Sequence, residues 1–416
     1  MSCGAAKEEI IMMYVIPSIS KRITDLKTEN AFVVGVETAA WEKESGKKVM
    51  KFYIGQPDFP TPENIQLAAI KAIVEKKHGY TPSAGIPELR TAVAKYLSET
   101  RGIPYSMEDI AVGGGAKPFI GYTIQCVTEY GKGHEILCPN PGFPIYESQA
   151  LLLGTIPRAL MLYEKNKYNF DIDELGRQMN KNTRLLILNS PQNPTGGVLS
   201  KEELKAIADI VKKWPDVWVF SDEVYSRITN GNEFHSIASL PEMQDRTIIL
   251  EGASKTYAMT GWRIGYAANK RLTKHFGTLI TNTDSCANHV AQWATVEALT
   301  GSQEVPEKMA RIFHERRDVI VKLLNEIPGV TCLLPGGAFY AYPNVTGACK
   351  IVGAKDSEEF RKRLLREAFV SVTADTHFGP KVPNDGEHIR FSFAASMEDI
   401  IEGMRRMKTW IESYKK

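Results

Sequence analysis

The chain has 416 residues, of which 43% are hydrophobic and 24% charged, with a formal net charge of +2. That is ordinary for a soluble globular protein and long enough for two domains. The small charge, with no Lys/Arg block, argues against nucleic acid or an anionic membrane as partner, and no apolar run reaches the length of a membrane span.

The apolar run Ile10–Ile16 follows Glu8 and Glu9, so the basic region of a signal peptide and the arginines of a transit peptide are both missing. It reads as a short ordered or partner-docking arm. Short buried strands ending in polar or Gly-rich turns are predicted at Lys51–Gly55, Asp109–Gly113, Glu135–Pro139, Arg184–Ser190, Val217–Asp222 and Thr247–Gly252. Helical patterns lie between many of them, at Glu88–Thr100, Pro118–Tyr130 and Ser200–Lys213. The last opens on Ser200 with Glu203 three residues on, a capping box. Strands alternating with helices predict an α/β domain with a mainly parallel sheet covered on both faces.

The C-terminal part reads as a smaller α+β domain. It has a helix from about Pro306 to Glu326, a strand at Val330–Leu334, the turn Pro335-Gly336-Gly337 and the run Ala338–Tyr342. A helix near Ser357–Glu367, a strand at His388–Phe393 and a last helix from Ser396 to about Tyr414 follow. The boundary falls near residue 300, in the helical stretch after Asn288. Cys3, Cys126, Cys138, Cys286, Cys332 and Cys349 are scattered without C-x-x-C spacing. They predict reduced thiols in a cytoplasmic protein, with neither disulfides nor a metal site.

The chemistry concentrates in Ser254-Lys255-Thr256, which follows an apolar run, with Arg263 eight residues beyond the lysine. A lysine amine forms a Schiff base with a carbonyl, and Ser and Arg hold an anion beside it. A carbonyl and an anion on one small molecule describe pyridoxal phosphate. Alone, the spacing better describes a solvated Lys and Arg in a loop, and it is the other motifs, in matching order, that reverse this. Asp222 and Tyr225 end another strand, and Asn193 follows a third. Asp222 suits a pyridine nitrogen, because an anion there favours the protonated ring. Tyr225 and Asn193 suit the ring hydroxyl. The plainer readings are a helix cap for Asp222, packing for Tyr225 and a turn at Asn193-Pro194. Gly113-Gly114-Gly115-Ala116-Lys117, between a strand and an apolar helix, suits a phosphate or is a flexible turn. Phe143 either stacks on the ring or packs after a turn. Arg390 lies in an otherwise apolar strand and needs an anion, either a substrate carboxylate or a structural Asp or Glu.

Taken together, these motifs resemble the class I/II aminotransferases of pyridoxal-phosphate fold type I, closest to the aspartate-aminotransferase-like branch. The likeness extends from about Arg22 to Lys408. It includes Tyr53–Phe59, Tyr80–Arg90, Asn193–Gly196 and Pro335–Tyr340. It implies a large domain over 50–300 with a seven-stranded sheet, and a small domain over 301–416 joined by part of 1–49. It implies that Lys255 carries the cofactor, that Asp222 pairs with the ring nitrogen, and that Tyr225 and Asn193 touch the ring hydroxyl. Gly115, Ala116, Lys117, Ser254 and Arg263 match the phosphate cup. Gly55, Asn193 and Arg390 match the positions that bind a substrate carboxylate. Tyr80 matches a tyrosine that reaches the phosphate of the neighbouring subunit, which implies a homodimer with shared sites. Phe143 stands where many relatives have Trp or Tyr. Some aspartate-preferring relatives carry a lysine about two turns into the helix after the glycines, and ungapped counting puts Gln125 there.

The implied reaction is ping-pong transamination between an L-amino acid and a 2-oxo acid, with aspartate and 2-oxoglutarate among the expected substrates. A carbon–sulfur lyase or an aminocyclopropane-carboxylate-forming enzyme shares these motifs. A regulatory protein using the same fold to bind an effector is the alternative from another class, though the matched region leaves little room for a DNA-binding module. A serine hydrolase fails at Thr256, where G-x-S-x-G needs glycine.

Overall fold

The computed structural model describes residues 17–24, 26 and 30–415. The run Ile10–Ile16, read as an arm, lies outside these described residues. The first strand, β1, is short (Met50–Lys51). A large sheet then takes β2 (Ile110–Gly113), β3 (Glu135–Asn140), β4 (Ile156–Met161), β5 (Thr183–Asn189), β6 (Trp218–Asp222), β7 (Thr247–Gly252) and β8 (Gly265–Ala268). Their order is β2-β8-β7-β6-β5-β3-β4. The pairs from β7 through β6, β5 and β3 to β4 are parallel, and β8 runs antiparallel to both β2 and β7.

The sheet is buried on both faces, which is why its strands read as continuous apolar runs. Side chains alternate along β5. Leu185 and Ile187 join a core with Phe119 and Phe276, from the helices Pro118–Val127 and Thr273–Thr283. Leu186 and Leu188 face Leu204, Ile207 and Val211 of the helix Lys201–Val211. That helix has the predicted capping box, with the Glu203 N–H donating to Ser200 Oγ at 3.2 Å and the Ser200 N–H to Glu203 Oε2 at 2.8 Å.

The C-terminal part adds β9 (Tyr340–Ala341), β10 (Val370–Ser371), β11 (Thr373–Ala374) and β12 (Ile389–Ser392). β11, β12 and β9 form a three-stranded antiparallel sheet. The helices Glu304–Asn325, Ser357–Ala368 and Met397–Glu412 pack around it through Phe313, Phe360 and Trp410. Met50 and Phe52 belong to this same core. The earlier helix Asn30–Ser45 also packs here, with Thr38 Oγ1 2.6 Å from Ser371 Oγ and Trp41 stacked on Phe369. The helical stretch after Asn288 is two helices, His289–Thr300 and Glu304–Asn325, parted at Gly301.

Two predicted strands are corrected. Lys51–Gly55 is strand only as β1, which pairs with β10 and not with the large sheet. Beyond it, the backbone turns Gly55 against Tyr340. Val330–Leu334 contributes only a single bridge, from Thr331 to Asn344. There the Asn325 side chain takes both the N–H and the carbonyl of Cys332, at 2.9 and 3.0 Å, in place of a neighbouring strand. β4 and β8 escaped the strand reading. β4 is an edge strand that tolerates Pro157, and β8 is a short run of Gly, Tyr and Ala. No helix among the described residues is long and apolar enough to cross a membrane. None of their His, Cys, Asp and Glu side chains gather into a metal-holding cluster.

Candidate active site

The carboxyl ends of β2, β5, β6 and β7 lie along one edge of the large sheet, where parallel sheets bind ligands. A cleft of about 580 Å³ opens there. It is lined by residues that follow each of these strands, namely Ala116 and Lys117, Asn193, Asp222 and Tyr225, and Ser254 and Lys255. Gly55, which lies against Tyr340, and Arg390 of the C-terminal part close it on the other side.

Asp222 is buried. Its Oδ2 accepts from the Tyr146 hydroxyl at 2.6 Å, and its Oδ1 from the Val224 N–H at 3.3 Å. Burial pushes its carboxyl up to about 6. The Tyr146 and Val224 hydrogen bonds and the Lys255 charge oppose that rise, while Glu223 adds to it. Lys255 Nζ donates to the Gly55 carbonyl at 2.6 Å. A side chain at Gly55 would strike the Tyr340 hydroxyl, so only glycine lets this carbonyl approach. The Tyr225 and Tyr340 hydroxyls lie 2.7 Å apart, and burial holds the Tyr225 hydroxyl well above its ordinary range.

The other end of the cleft is cationic. Gly115 has φ +103°, and a Cβ there would overlap the Arg263 guanidinium. Arg263 is exposed, holds a left-handed φ of 58°, and donates from Nη1 to the Thr260 carbonyl at 3.0 Å. The helix Pro118–Val127 starts just beyond Lys117 with proline in its first turn. Helix starts present N–H groups to anions. Lys117 Nζ lies 5.4 Å from the Phe143 ring centroid, and Phe143 meets Tyr146 edge-on.

Arg390 is buried and donates from Nη1 to Asn193 Oδ1 at 2.8 Å and from Nη2 to the Tyr53 carbonyl at 2.6 Å. Its Nε has no partner. Its guanidinium lies 4.5 Å from the Tyr340 ring centroid and 4.7 Å from that of Phe378. Among the described residues, the other buried arginines, Arg101, Arg316, Arg317 and Arg361, each pair with a carboxylate, and Arg390 pairs with none. The structural Asp or Glu expected as its alternative partner is not there.

The structure thus brings together Gly55, Ala116, Lys117, Phe143, Asn193, Asp222, Tyr225, Ser254, Lys255, Arg263 and Arg390, with Gly115 behind Arg263. Tyr80 stands apart, 90% exposed and outside the cleft. Gln125 is also elsewhere. It lines a separate cleft with Arg184 and Arg271, and its amide donates to the Gly121 carbonyl. Two turns along a helix carry a residue about 10 Å from the helix start, so Gln125 is carried away from the cleft at that end. Sequence reasoning missed Tyr146, Tyr340, Gln56 and Phe32, which all line the cleft. Tyr146 and Tyr340 were within reach, since Tyr146 ends the Pro- and Gly-rich run Pro139–Tyr146 around Phe143 and Tyr340 closes Pro335–Tyr340.

Residues 47–406 match the family described as aminotransferase class I and II. The aspartate aminotransferase of Geobacillus stearothermophilus is 35% identical over 398 residues, covering 95% of this chain and 99% of its own. A probable aspartate/prephenate aminotransferase of Rhizobium leguminosarum bv. phaseoli is 36% identical, covering 88% and 92%. The crystal structure of the Rhizobium meliloti aspartate aminotransferase superposes with a TM-score of 0.88 at 30% identity, covering 95% and 99%.

Proposed function

The chain belongs to the class I and II aminotransferases, and from that premise we propose that it carries the amino group of L-aspartate to 2-oxoglutarate in the cleft above β5, β6 and β7. It is a pyridoxal-phosphate-dependent transaminase. The residues fit that cofactor. Gly115 leaves room beside the Arg263 cation, where a Cβ would intrude. Asp222 is a buried carboxylate that two hydrogen bonds and a neighbouring lysine only partly offset, as suits a cationic ring nitrogen. When bound, pyridoxal phosphate supplies a carbonyl for the amino group and a ring that draws electrons from the substrate Cα.

The chain's own residues do the rest. Lys255 is the amine that would hold the cofactor and move the proton of the substrate Cα. Asp222 keeps the ring nitrogen protonated. Tyr225 and Asn193 hold the ring hydroxyl, and Phe143 covers a ring face. Gly115, Ala116, Lys117, Ser254 and Arg263 hold the phosphate, and Tyr80 completes the phosphate site of a second subunit in a homodimer. Gly55, Asn193 and Arg390 take the substrate α-carboxylate.

Arg390 carries this reading. A buried guanidinium with a free Nε and no carboxylate is a site prepared for an anion from outside. We place the large domain at 50–300, with β1 and Phe52 at its start packed into the C-terminal core, the small one at 301–416 joined by part of 1–49, and the enzyme in the cytoplasm.

A panel of amino donors against several 2-oxo acids tests the proposal. Aspartate with 2-oxoglutarate should give oxaloacetate and glutamate with ping-pong kinetics. Turnover beyond one equivalent per site without an acceptor would instead indicate a lyase. Preference for an apolar donor would remove aspartate as substrate.

A further inference from the structure

Behind the strand that ends in Asp222 lies a buried charge cluster that the reaction as described does not use. Arg101, the last residue of the helix Pro87–Arg101, donates from Nε to Glu223 Oε2 at 2.8 Å and from Nη2 to Glu251 Oε2 at 3.1 Å. All three side chains are no more than 2% exposed. The remaining carboxylate oxygens are also satisfied. Glu223 Oε1 accepts from the Ser221 and Ser236 hydroxyls at 2.8 and 2.5 Å. Glu251 Oε1 accepts from Ser226 at 2.7 Å and from the Tyr96 hydroxyl at 3.1 Å.

The placement is specific. Glu223 directly follows Asp222, and successive side chains along an extended chain point to opposite faces. Asp222 therefore faces the cleft while Glu223 faces the cluster. Glu251 lies in β7, four residues before Lys255. The Glu223 N–H donates to the Leu250 carbonyl at 2.8 Å, which joins the same two strand ends through the backbone. One guanidinium thus spans the strand ends that deliver Asp222 and Lys255. The two carboxylates share this one guanidinium directly, with the Arg227 charge acting on Glu251 from beside Tyr257, and all of it lies beside an aspartate that must stay ionised.

We infer that Arg101 is a positioning residue of the transamination site: by holding Glu223 and Glu251 it offsets their charge at Asp222 and fixes the ends of β6 and β7 relative to each other. The inference rests on the roles given above to Asp222 and Lys255. On the cleft side Asp222 is faced by Tyr146, Tyr225 and Lys255, and on the cluster side Tyr105 adds to the groups already named. Glu223 is one of the influences that raise the Asp222 carboxyl, and burial pushes the Glu251 carboxyl up as well.

The test is a pH titration of the absorbance of the bound cofactor, together with its dissociation constant, in Arg101→Gln, Arg101→Lys and Glu223→Gln. Charge removed on opposite sides must move the midpoint in opposite directions. Glu223→Gln should lower it by about half to one pH unit, the scale expected for one buried charge at this range. Arg101→Gln should raise it and weaken cofactor binding, and Arg101→Lys should stay near the wild type. A purely structural cluster predicts lower melting temperatures with unmoved midpoints. If Arg101→Gln does not fold, Glu223→Gln decides, because its amide oxygen can still accept from Arg101 while its NH2 donates to the Ser221 and Ser236 hydroxyls, so that the charge is the main loss. A normal wild-type titration with an unmoved or raised Glu223→Gln midpoint overturns this inference alone. Absence of cofactor absorbance in the wild type overturns the assignment of Lys255 and Asp222, and this inference with it.

Discussion

Arg101 and Arg390 are both buried, and their surroundings give them different tasks. Arg101 is held by two carboxylates, whereas Arg390 has an amide oxygen, a backbone carbonyl and a free Nε. Lysine at 390 would keep the charge and lose the two-pronged geometry. Arg390→Lys should therefore weaken binding of aspartate and of a dicarboxylate inhibitor by about tenfold or more, with cofactor absorbance unchanged. Loss of cofactor with normal substrate affinity would assign Arg390 to the phosphate instead. Asp222 yields a second prediction with two signs. Asp222→Asn should lower turnover by about a hundredfold or more, since a neutral partner no longer favours a protonated ring. In cofactor-free protein the effect on stability reverses. Burial raises the Asp222 carboxyl from the ordinary 3.8 to about 6, so its protonated form favours folding. That contribution is full below about 4 and is lost as pH rises through about 6. Without cofactor, Asp222→Asn should thus gain stability relative to wild type on going from pH 4 to pH 8. Parallel melting curves for the two proteins across that range would sink the argument.

At the level of elements, the turn after β2 does what its glycines suggest. Gly115 needs its left-handed φ and lies against Arg263. Gly115→Ala should loosen cofactor binding by about tenfold or more, because the strain at positive φ and the displaced guanidinium act together. Unchanged cofactor affinity would remove Gly115 from the cup. The helix Lys201–Val211 offers a contrast, since its capping box serves only the fold. Ser200→Ala should cost about 1 kcal/mol of stability, read by denaturant unfolding, with turnover intact. The strand errors also belong to this scale. β1 reads like the large-sheet strands, yet it pairs with β10 in the C-terminal part.

For the molecule as a whole, Tyr80 poses the sharpest question. It is 90% exposed, and the helix Glu63–Val74 just before it leaves Leu67, Ile70, Ile73 and Val74 exposed as well. An apolar helix face beside an exposed tyrosine supports the proposed homodimer. In such a dimer, mixing Tyr80→Ala with Lys255→Ala under verified subunit exchange should regenerate one intact site in two. Activity should rise above that of either parent. No rise, or an active monomer by sedimentation, would refute shared sites.

The sequence alone determined the parts that depend on short stretches of chain. Apolar runs closed by turn residues located β2, β3, β5, β6 and β7, and the loops after four of them already carried Gly115, Asn193, Asp222, Tyr225 and Lys255. Such signals are legible because a strand, a cap or a glycine turn is specified by residues within a few positions of one another. Tertiary structure alone decided what depends on distant partners. It turned β8 antiparallel, gave β1 to the C-terminal core and moved Gln125 out of the cleft. It set Tyr146 against Asp222, denied Arg390 a carboxylate, and placed Arg101 behind the strands it joins. These contacts link residues separated by tens to hundreds of positions, and only the packed core fixes which of them meet.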